Sequence, residues 1–454
     1  MNRRYQYFLL CLICLGAFSC GDQWEEHNEA TQDLNNNLVQ MIRADADLST
    51  FASLLEQSGL DAQLASGSYT VWAPNNAALE NLPESITGDK AALKAFVGNH
   101  IGYQQRLSHQ AEDTLMRVKM LNDKVNVLRQ NSITSVDQTA NFDYADRLSK
   151  NGVLYKIDRF LEVKKNVWEI VKERSDNPVS QLITGMTITD SLTNETYNYF
   201  EYDVTDLANE DSTYTFFLLN DEAYGTFKMA MEPYFKDTLP ETETLSMPLS
   251  LGLAKDLVFT TAYYDNVPDT ILSVDSVKVA FHADQVVEKI NASNGVVYLM
   301  NGYDYKLSDK IPEIKIEGEY YDGLSDGSGP VNIRARTWAS NNRDLLVINS
   351  GIAGYSVRYE VPQAHSTKYD IYWRAVNDDY IPRTNEQRIA VDSVQNELFS
   401  LMFVVPNTYE EVYIGQHEVQ NYGDLRLLLQ SYPTTSNDWN SLVLDYIRLV
   451  PVFE

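Results

Sequence analysis

The residues of this chain that can do chemistry are six histidines, three cysteines and a wide scatter of carboxylates. His27, His100, His109, His282, His365 and His417 never fall at helical or zinc-ligand spacing, and no cysteine pair supports them, so a zinc site is not expected. His100 is expected to pack and hydrogen-bond inside its domain. The run Gly323-Leu324-Ser325-Asp326-Gly327 fits the G-x-S-x-G pattern of a nucleophile elbow. That device needs a strand before the serine and a helix after it. Here a Gly/Asp-rich stretch leads into another strand, and a loop is expected instead. Glu317 and Glu319 fall on one face of an expected strand. Paired carboxylates serve glycoside hydrolysis only at a set separation, which spacing alone does not supply. Among 64 acidic residues such pairs arise by chance, and catalysis is not expected. Asp322 and Asp326, among glycine-rich turns, are candidates to hold a structural calcium through carboxylate and carbonyl oxygens, although their spacing is not that of an EF-hand. A solvated turn is the alternative. No other cofactor is expected.

The aromatics say more. Trp338, Tyr355, Tyr372, Trp373, Tyr380 and Trp439 all fall in the last third of the chain. A sugar ring stacks its apolar face on Trp or Tyr, while Asn, Asp and Arg bond its hydroxyls. Trp439 has this mixture around it, in Asn437, Asp438 and Asn440. These four, with Tyr380 and Trp338, are the candidate glycan-binding residues. Trp373 sits on an alternating strand and is expected in the core.

The N-terminus carries chemistry of another kind. Arg3 and Arg4 precede an apolar run from Phe8 to Phe18, which is too short to span a bilayer and reads as a secretory signal. Ala17-Phe18-Ser19-Cys20 then resembles a bacterial lipobox, with Ala17 where Leu is usual. The resemblance implies cleavage after residue 19, a diacylglycerol thioether on Cys20 and further acylation, for example by palmitate. Two or more chains anchor stably, at about 0.8 kcal/mol per buried CH₂. Cys11 and Cys14 leave with the signal, so the mature chain has one cysteine and no internal disulfide. Residues 20–37 read as an acidic, flexible tether. Acidic residues just after the cysteine resemble the surface-export signal of Bacteroides-like outer-membrane lipoproteins. The expected location is the outer membrane, lipid-anchored and facing the exterior.

Length and charge bound the rest. The 454 residues suggest about three domains at roughly 150 residues each, and an apolar share of 44% supports packed cores. The net charge is −28, and becomes −30 once Arg3 and Arg4 are removed. Such a surface repels phosphate backbones, so nucleic acid is not an expected partner. A neutral or cationic ligand, or a protein, is.

The elements that must position these residues repeat. Tyr69-Thr70-Val71-Trp72 and Tyr214-Thr215-Phe216-Phe217 both read as strands. Asn151-Gly152-Val153 follows the first by 82 residues, and Asn294-Gly295-Val296 the second by 80. A nearly fixed period argues for duplicated domains. Pro74-Asn75-Asn76 is expected to end its strand and cap a helix containing Ala77, Ala78 and Leu79. Each Asn-Gly is expected to form a tight turn at positive φ. Upstream, Leu48, Phe51, Leu54 and Leu55 recur at helical spacing until Gly59.

These residues resemble the fasciclin family. Val71 to Leu79 is similar to its first block and Asn151 to Asp158 to its last, and Asn99-His100-Ile101 stands where the family carries a His motif. Thr70, Pro74, Asn75, His100, Asn151 and Gly152 are the motif positions, with a structural role. The second copy lacks the proline and shows no His at the equivalent place, so it is read as a divergent fasciclin domain. Beyond residue 312, alternating runs separated by turn signals indicate a β-sandwich. Asn440 to Pro451 and Tyr369 to Ala375 resemble strands of galactose-binding-like jelly rolls, a fold used by carbohydrate-binding modules. The expected architecture is multidomain: two α+β fasciclin-like domains, residues 38–164 and 165–308, then an all-β jelly-roll sandwich, residues 312–454. The resemblance implies an accessory part of a Bacteroides-type uptake locus for polysaccharide utilisation. There it would sit beside a TonB-dependent transporter and its substrate-capturing lipoprotein. The alternative it implies is adhesion through the fasciclin domains.

Overall fold

The computed structural model describes residues 34–107, 115–129, 134–135, 140–237, 246–325, 331–378, 385–395, 398–436 and 439–453. Cys20, the signal and tether to residue 33, His27, His109, Asp326, Tyr380, Asn437 and Asp438 lie outside the described residues.

The first unit opens with helix Leu38–Ala44. The Asn37 side chain accepts from the Gln40 N–H, and Gln40 returns the bond, so two otherwise orphaned donors are satisfied at once. Helix Ser49–Ser58 buries Phe51, Leu54 and Leu55 and stops at Gly59, in the left-handed region with φ 75°. These helices cover a four-stranded sheet. Its strands are β1 (Tyr69–Pro74), β2 (Ile101–Tyr103), β6 (Phe142–Ser149) and β7 (Gly152–Ile157), in the order β2-β1-β7-β6. A small antiparallel sheet of β3 (Leu115–Lys119), β4 (Val125–Arg129) and β5 (Thr134–Ser135) lies in the connection between β2 and β6. At the centre β1 and β7 run parallel, with Tyr69 opposite Gly152 and Pro74 opposite Ile157.

The second unit repeats this plan. After the short hairpin β8 (Thr187–Thr189) and β9 (Thr196–Asn198), it has β10 (Tyr214–Leu219) and β11 (Val258–Phe259). The hairpin strands β12 (Thr270–Leu272) and β13 (Lys278–Ala280) lead on to β14 (Val286–Asn291), β15 (Gly295–Met300) and β16 (Asp304–Tyr305). The main sheet order is β11-β10-β15-β14, again with a parallel central pair, Tyr214 opposite Gly295 and Leu219 opposite Met300. Two segments of one chain thus share strand order, direction and register. Phe216, Phe217 and Phe259 fill the second core, where the first uses Val71, Ile101 and Leu154.

From residue 314 onward the regular structure is almost all β. The first strands are β17 (Ile314–Glu317), β18 (Gly323–Leu324), β19 (Val331–Ala335) and β20 (Arg343–Val347). They continue as β21 (Ser356–Ala364), β22 (Lys368–Arg374), β23 (Glu386–Val391) and β24 (Met402–Phe403). The last are β25 (Val412–Glu418), β26 (Gly423–Ser431), β27 (Leu442–Leu444) and β28 (Tyr446–Val452). One sheet runs β17-β28-β22-β25, another β18-β21-β26-β23-β24, and β19-β20-β27 forms a third. Burial alternates along β22, so Tyr369, Ile371 and Trp373 face the core and Tyr372 faces away. Trp373 is 2% exposed, as a core position should be.

Polar contacts tie the units together. Arg117 of β3 donates to the carbonyls of Glu210 and Ser212 at 2.7 and 2.8 Å. Lys124 pairs with Glu169 at 2.6 Å and with Glu210 at 3.1 Å. At the second joint the Ser366 N–H donates to the Tyr234 carbonyl at 3.0 Å, and the Tyr422 N–H to that of Lys236 at 2.8 Å. Phe235 stacks on Tyr422 there, with ring centroids 4.9 Å apart. Among the described residues no helix is long and apolar enough to cross a membrane.

Candidate functional site

The repeated motif residues are brought together as structural clasps. Thr70 is fully buried. Its hydroxyl donates to the Gln104 carbonyl at 2.8 Å and accepts from the Arg106 N–H at 2.9 Å. Thr215 does the same in the second unit, to Thr261 at 2.7 Å and from Tyr263 at 2.9 Å. The Asn151 side chain accepts from the Leu38 N–H at 2.9 Å and donates to the carbonyls of Leu64 and Gly67 at 2.7 and 2.8 Å. Asn294 repeats that pattern with Val167, Leu207 and Asn209. Each asparagine therefore pins the entry of its unit's first helix to the start of its central strand.

Two expectations about these motifs are corrected. Neither Asn-Gly pair adopts positive φ. The glycines are required by close approach instead. A Cβ on Gly152 would lie 2.1 Å from the Tyr69 carbonyl oxygen, and one on Gly295 2.0 Å from that of Tyr214. Pro74 does end β1, but Asn75 caps only a single 3₁₀ turn, Ala77–Leu79, its side chain accepting from the Ala78 N–H at 2.9 Å. The full helix appears in the second copy, where Asn220 caps Asp221–Met231.

His100 is fully buried, against the rings of Phe51 and Phe96. Its Nδ1 donates to the Phe96 carbonyl at 2.9 Å, and its Nε2 accepts from the Leu161 N–H at 2.8 Å. Nε2 faces a donor, so the ring must be neutral with its proton on Nδ1. Burial pushes its pKa down to about 4. The ring has no free nitrogen with which to bind a ligand.

In the sandwich the glycan candidates separate. Trp439 is 45% exposed, with Tyr432, which spacing did not single out, at a ring distance of 6.4 Å. Asn440 does not join it. Its side chain is fully buried and donates to the Ser350 hydroxyl at 2.8 Å, because the chain turns inward there to enter β27. Trp338 is half-buried and engaged. Its indole N–H donates to Asp378 at 3.2 Å, the Arg374 guanidinium lies 5.5 Å from the ring centroid, and Tyr409 meets it edge-on at 5.3 Å. Arg334 ties Asp378 to the buried Asp344. Isolated arginines and aspartates on separate strands carried no sequence signal for this cluster.

Gly323-Leu324 is strand β18, paired with β21, and the Ser325 hydroxyl accepts from the Ser356 N–H at 3.3 Å; residues 326–330 lie outside the described residues, and the next described element is strand β19. Glu319 lies beyond the end of β17 rather than on one strand face with Glu317. The two side chains bond the Ser340 hydroxyl and the Asn341 amide, each at 2.8 Å. Asp322 turns one carboxylate oxygen to the Glu360 N–H at 2.6 Å. Among the described residues no group of three or more His, Cys, Asp or Glu side chains could hold a metal ion.

Comparison with known proteins agrees with the first unit. Residues 46–163 match the Fasciclin domain family model. The chain is 26% identical over 147 residues to transforming growth factor-beta-induced protein ig-h3 of Sus scrofa, which covers 31% of this chain and 22% of that protein. It thus spans about a fifth of the length of this curated relative. Among solved structures, a fasciclin domain pair from the insect cell adhesion molecule Fasciclin I covers 58% of this chain and 99% of its own, at 13% identity and a TM-score of 0.25. A family 35 carbohydrate binding module from Clostridium thermocellum covers 31% and 98%, at 14% identity and a TM-score of 0.24. TM-scores of this size add nothing to the strand order described above. The chain therefore carries a Fasciclin domain at residues 46–163, a second unit of the same strand order, and an all-β sandwich.

Proposed function

We propose that the chain is a lipid-anchored surface protein that binds without transforming, and that its sandwich holds a glycan against Trp439. The observation that carries this reading is the 45% exposure of Trp439, when Trp373 is buried and Trp338 is engaged by Asp378 and Arg374. A large exposed aromatic at a loop end offers a platform for the apolar face of a sugar ring. A surface of net charge −28 suits a neutral ligand. In this reading Cys20 is acylated, the two α+β units dock partner proteins, and the setting is an outer-membrane uptake complex with a TonB-dependent transporter and its substrate-capturing lipoprotein. A glycan array probed with the wild type and with Trp439→Ala tests the site. The expected result is binding to at least one neutral glycan that the variant loses. Silence of the wild type, or equal binding by both, overturns the site. Fatty-acid labelling of the wild type but not of Cys20→Ser tests the anchor, and co-purification of a transporter tests the setting.

Adhesion is the second reading, favoured by the Fasciclin domain and by one surface feature. Leu192, at the tip of the hairpin between β8 and β9, is 94% exposed, and Tyr202, 75% exposed, packs its ring 5.0 Å from that of Tyr197. Aggregation of cells displaying the wild type, lost in Leu192→Asp, would favour it.

A further inference from the structure

A cavity of about 690 Å³ lies where the second unit meets the sandwich. One wall comes from helix Met247–Lys255, from the Asp275-Ser276 turn between β12 and β13, and from helix Leu307–Lys310. The other comes from Gln363 and His365 at the end of β21 and from Tyr422 just before β26. Ligand sites favour such joints, and the volume falls within the roughly 300–1,000 Å³ of small-molecule pockets.

Two residues on the rim hold backbone conformations that side chains rarely adopt. Ser276 has φ 65° and Gln363 φ 55°. Strain of this kind collects at functional sites. Gln363 falls where the β21–β26 register shifts, between Val361 and Ala364. A bulge re-aims the side chain it carries.

The lining mixes apolar surface with idle polar groups. Among the described residues the side chains of Ser276, Gln363, Lys255, Asp309 and Tyr422 make no hydrogen bond or ion pair with the protein. His365 lies edge-on to Phe235 and Tyr422, at ring distances of 5.1 and 5.5 Å. Burial, helped by Lys310, pushes its pKa down to about 4, so at neutral pH it offers one donor and one acceptor. Lys310 is already neutralised, by Asp256 at 2.9 Å and Asp275 at 2.8 Å. Lys255 and Asp309 add one charge of each sign. Stacked Phe235 and Tyr422, with Met247, Pro248 and Leu251, supply apolar surface.

The lining sets Lys255 and Lys310 against Asp275 and Asp309, so an ion of either sign meets no net attraction. A wholly apolar ligand would strip water from five side chains and return no hydrogen bond. A neutral ring bearing several hydroxyls and one apolar face meets neither penalty. We propose that this joint is a second saccharide site, taking a neutral one- or two-ring sugar unit contacted from both domains. It rests on the reading above for the glycan class only, and shares no residue with the Trp439 site.

Calorimetric titration of the mature full-length chain with maltose, cellobiose, lactose, mannobiose and sucrose tests it. At least one probe is expected to bind the wild type. Ser276→Gly and Gln363→Gly relieve the positive φ while removing one polar group each, so both should fold and each should weaken binding about tenfold. Leu251→Trp should fill the cavity and abolish binding; if it melts early, the two glycine variants decide. Trp439→Ala should leave this binding unchanged. The proposal is overturned if none of the probes binds, or if both glycine variants bind like the wild type. Loss in Trp439→Ala alone sinks the joint and keeps the loop site. Loss in the glycine variants alone supports the joint and leaves the loop site to be decided by the glycan array.

Discussion

Acid should loosen the first unit through His100. Its ring is held neutral by burial, by the Phe96 carbonyl at Nδ1 and by the Leu161 N–H at Nε2. Protonating Nε2 would set a donor against a donor. An unfolded chain takes up this proton near pH 6.5, whereas the folded one resists until about 4. Between those values the unfolded state binds more protons, so stability is fully present above pH 6.5 and is lost as pH falls toward 4. Integrated from pH 7.5 down to pH 5, a depression of that size removes about 2 kcal/mol.

Urea unfolding of the wild type and of His100→Gln at the two pH values measures this. The comparison is needed because other groups titrate in the same window. His365, also pushed down to about 4, adds a slope of the same sign. Glu201, pushed up to about 7 by burial, adds one of opposite sign, since its folded form keeps a proton that the unfolded chain releases. The variant is expected to be less stable at pH 7.5, because the amide does not replace the ring between Phe51 and Phe96. It should then lose about 2 kcal/mol less than the wild type on acidification. The protection factor of the Leu161 amide against hydrogen exchange, corrected for the intrinsic pH dependence of exchange, should fall at pH 5 in the wild type before global stability is lost. Parallel pH dependence of the two proteins, within about 0.5 kcal/mol, would refute the burial argument.

Gly152→Ala and Gly295→Ala should each cost about 3 kcal/mol or prevent folding, because the new Cβ would lie about 2 Å from a carbonyl oxygen of the neighbouring strand, as circular-dichroism melts would show. Asn151→Ala and Asn294→Ala each delete at least three hydrogen bonds and orphan a backbone N–H, that of Leu38 or Val167, and denaturant titration should find a loss of about 2–4 kcal/mol in each. Arg117→Ala should leave the cores intact but weaken the first joint by about 1–2 kcal/mol, seen as faster proteolysis between the units and a broader solution-scattering envelope.

The duplicated strands were legible because their signal is local. Tyr-Thr followed by two apolar residues marks a buried strand wherever it occurs, and a nearly fixed period then repeats it. The role of the Asn-Gly pairs was not legible. A positive-φ turn and a close backbone approach both select glycine, and only the packing of β1 on β7 shows which applies. Trp439 stood out by its polar neighbours, yet Asn440 beside it turned out to be an inward anchor, since a one-residue step into a strand reverses the side-chain direction. The joint cavity had no sequence signal at all. Its lining is drawn from segments between Tyr199 and Tyr422, and no local pattern records that they meet.

The two α+β units also show what the missing histidine became. In the first unit the Trp72 N–H donates to the His100 carbonyl, and in the second the Phe217 N–H donates to that of Leu257, both at 2.9 Å, so Leu257 occupies the histidine's corner. The residue before it changes too, from Asn99 to Asp256. Asn99 holds the chain leaving the sheet through the carbonyls of Leu161 and Glu162. Asp256 does so through an ion pair with Lys310 and through its own carbonyl, which accepts from the Tyr303 hydroxyl at 2.9 Å. Removing one partner of a buried ion pair strands the other charge, so Lys310 is confined more firmly than an amide contact would confine it. Lys310 lies four residues before β17, where the sandwich begins, and its other carboxylate partner, Asp275, stands on the cavity wall. The second copy thus has a charged internal clasp where the first has a neutral one, and it ties the segment that leads into β17 to Asp256, Asp275 and the Gly252 carbonyl of its own unit.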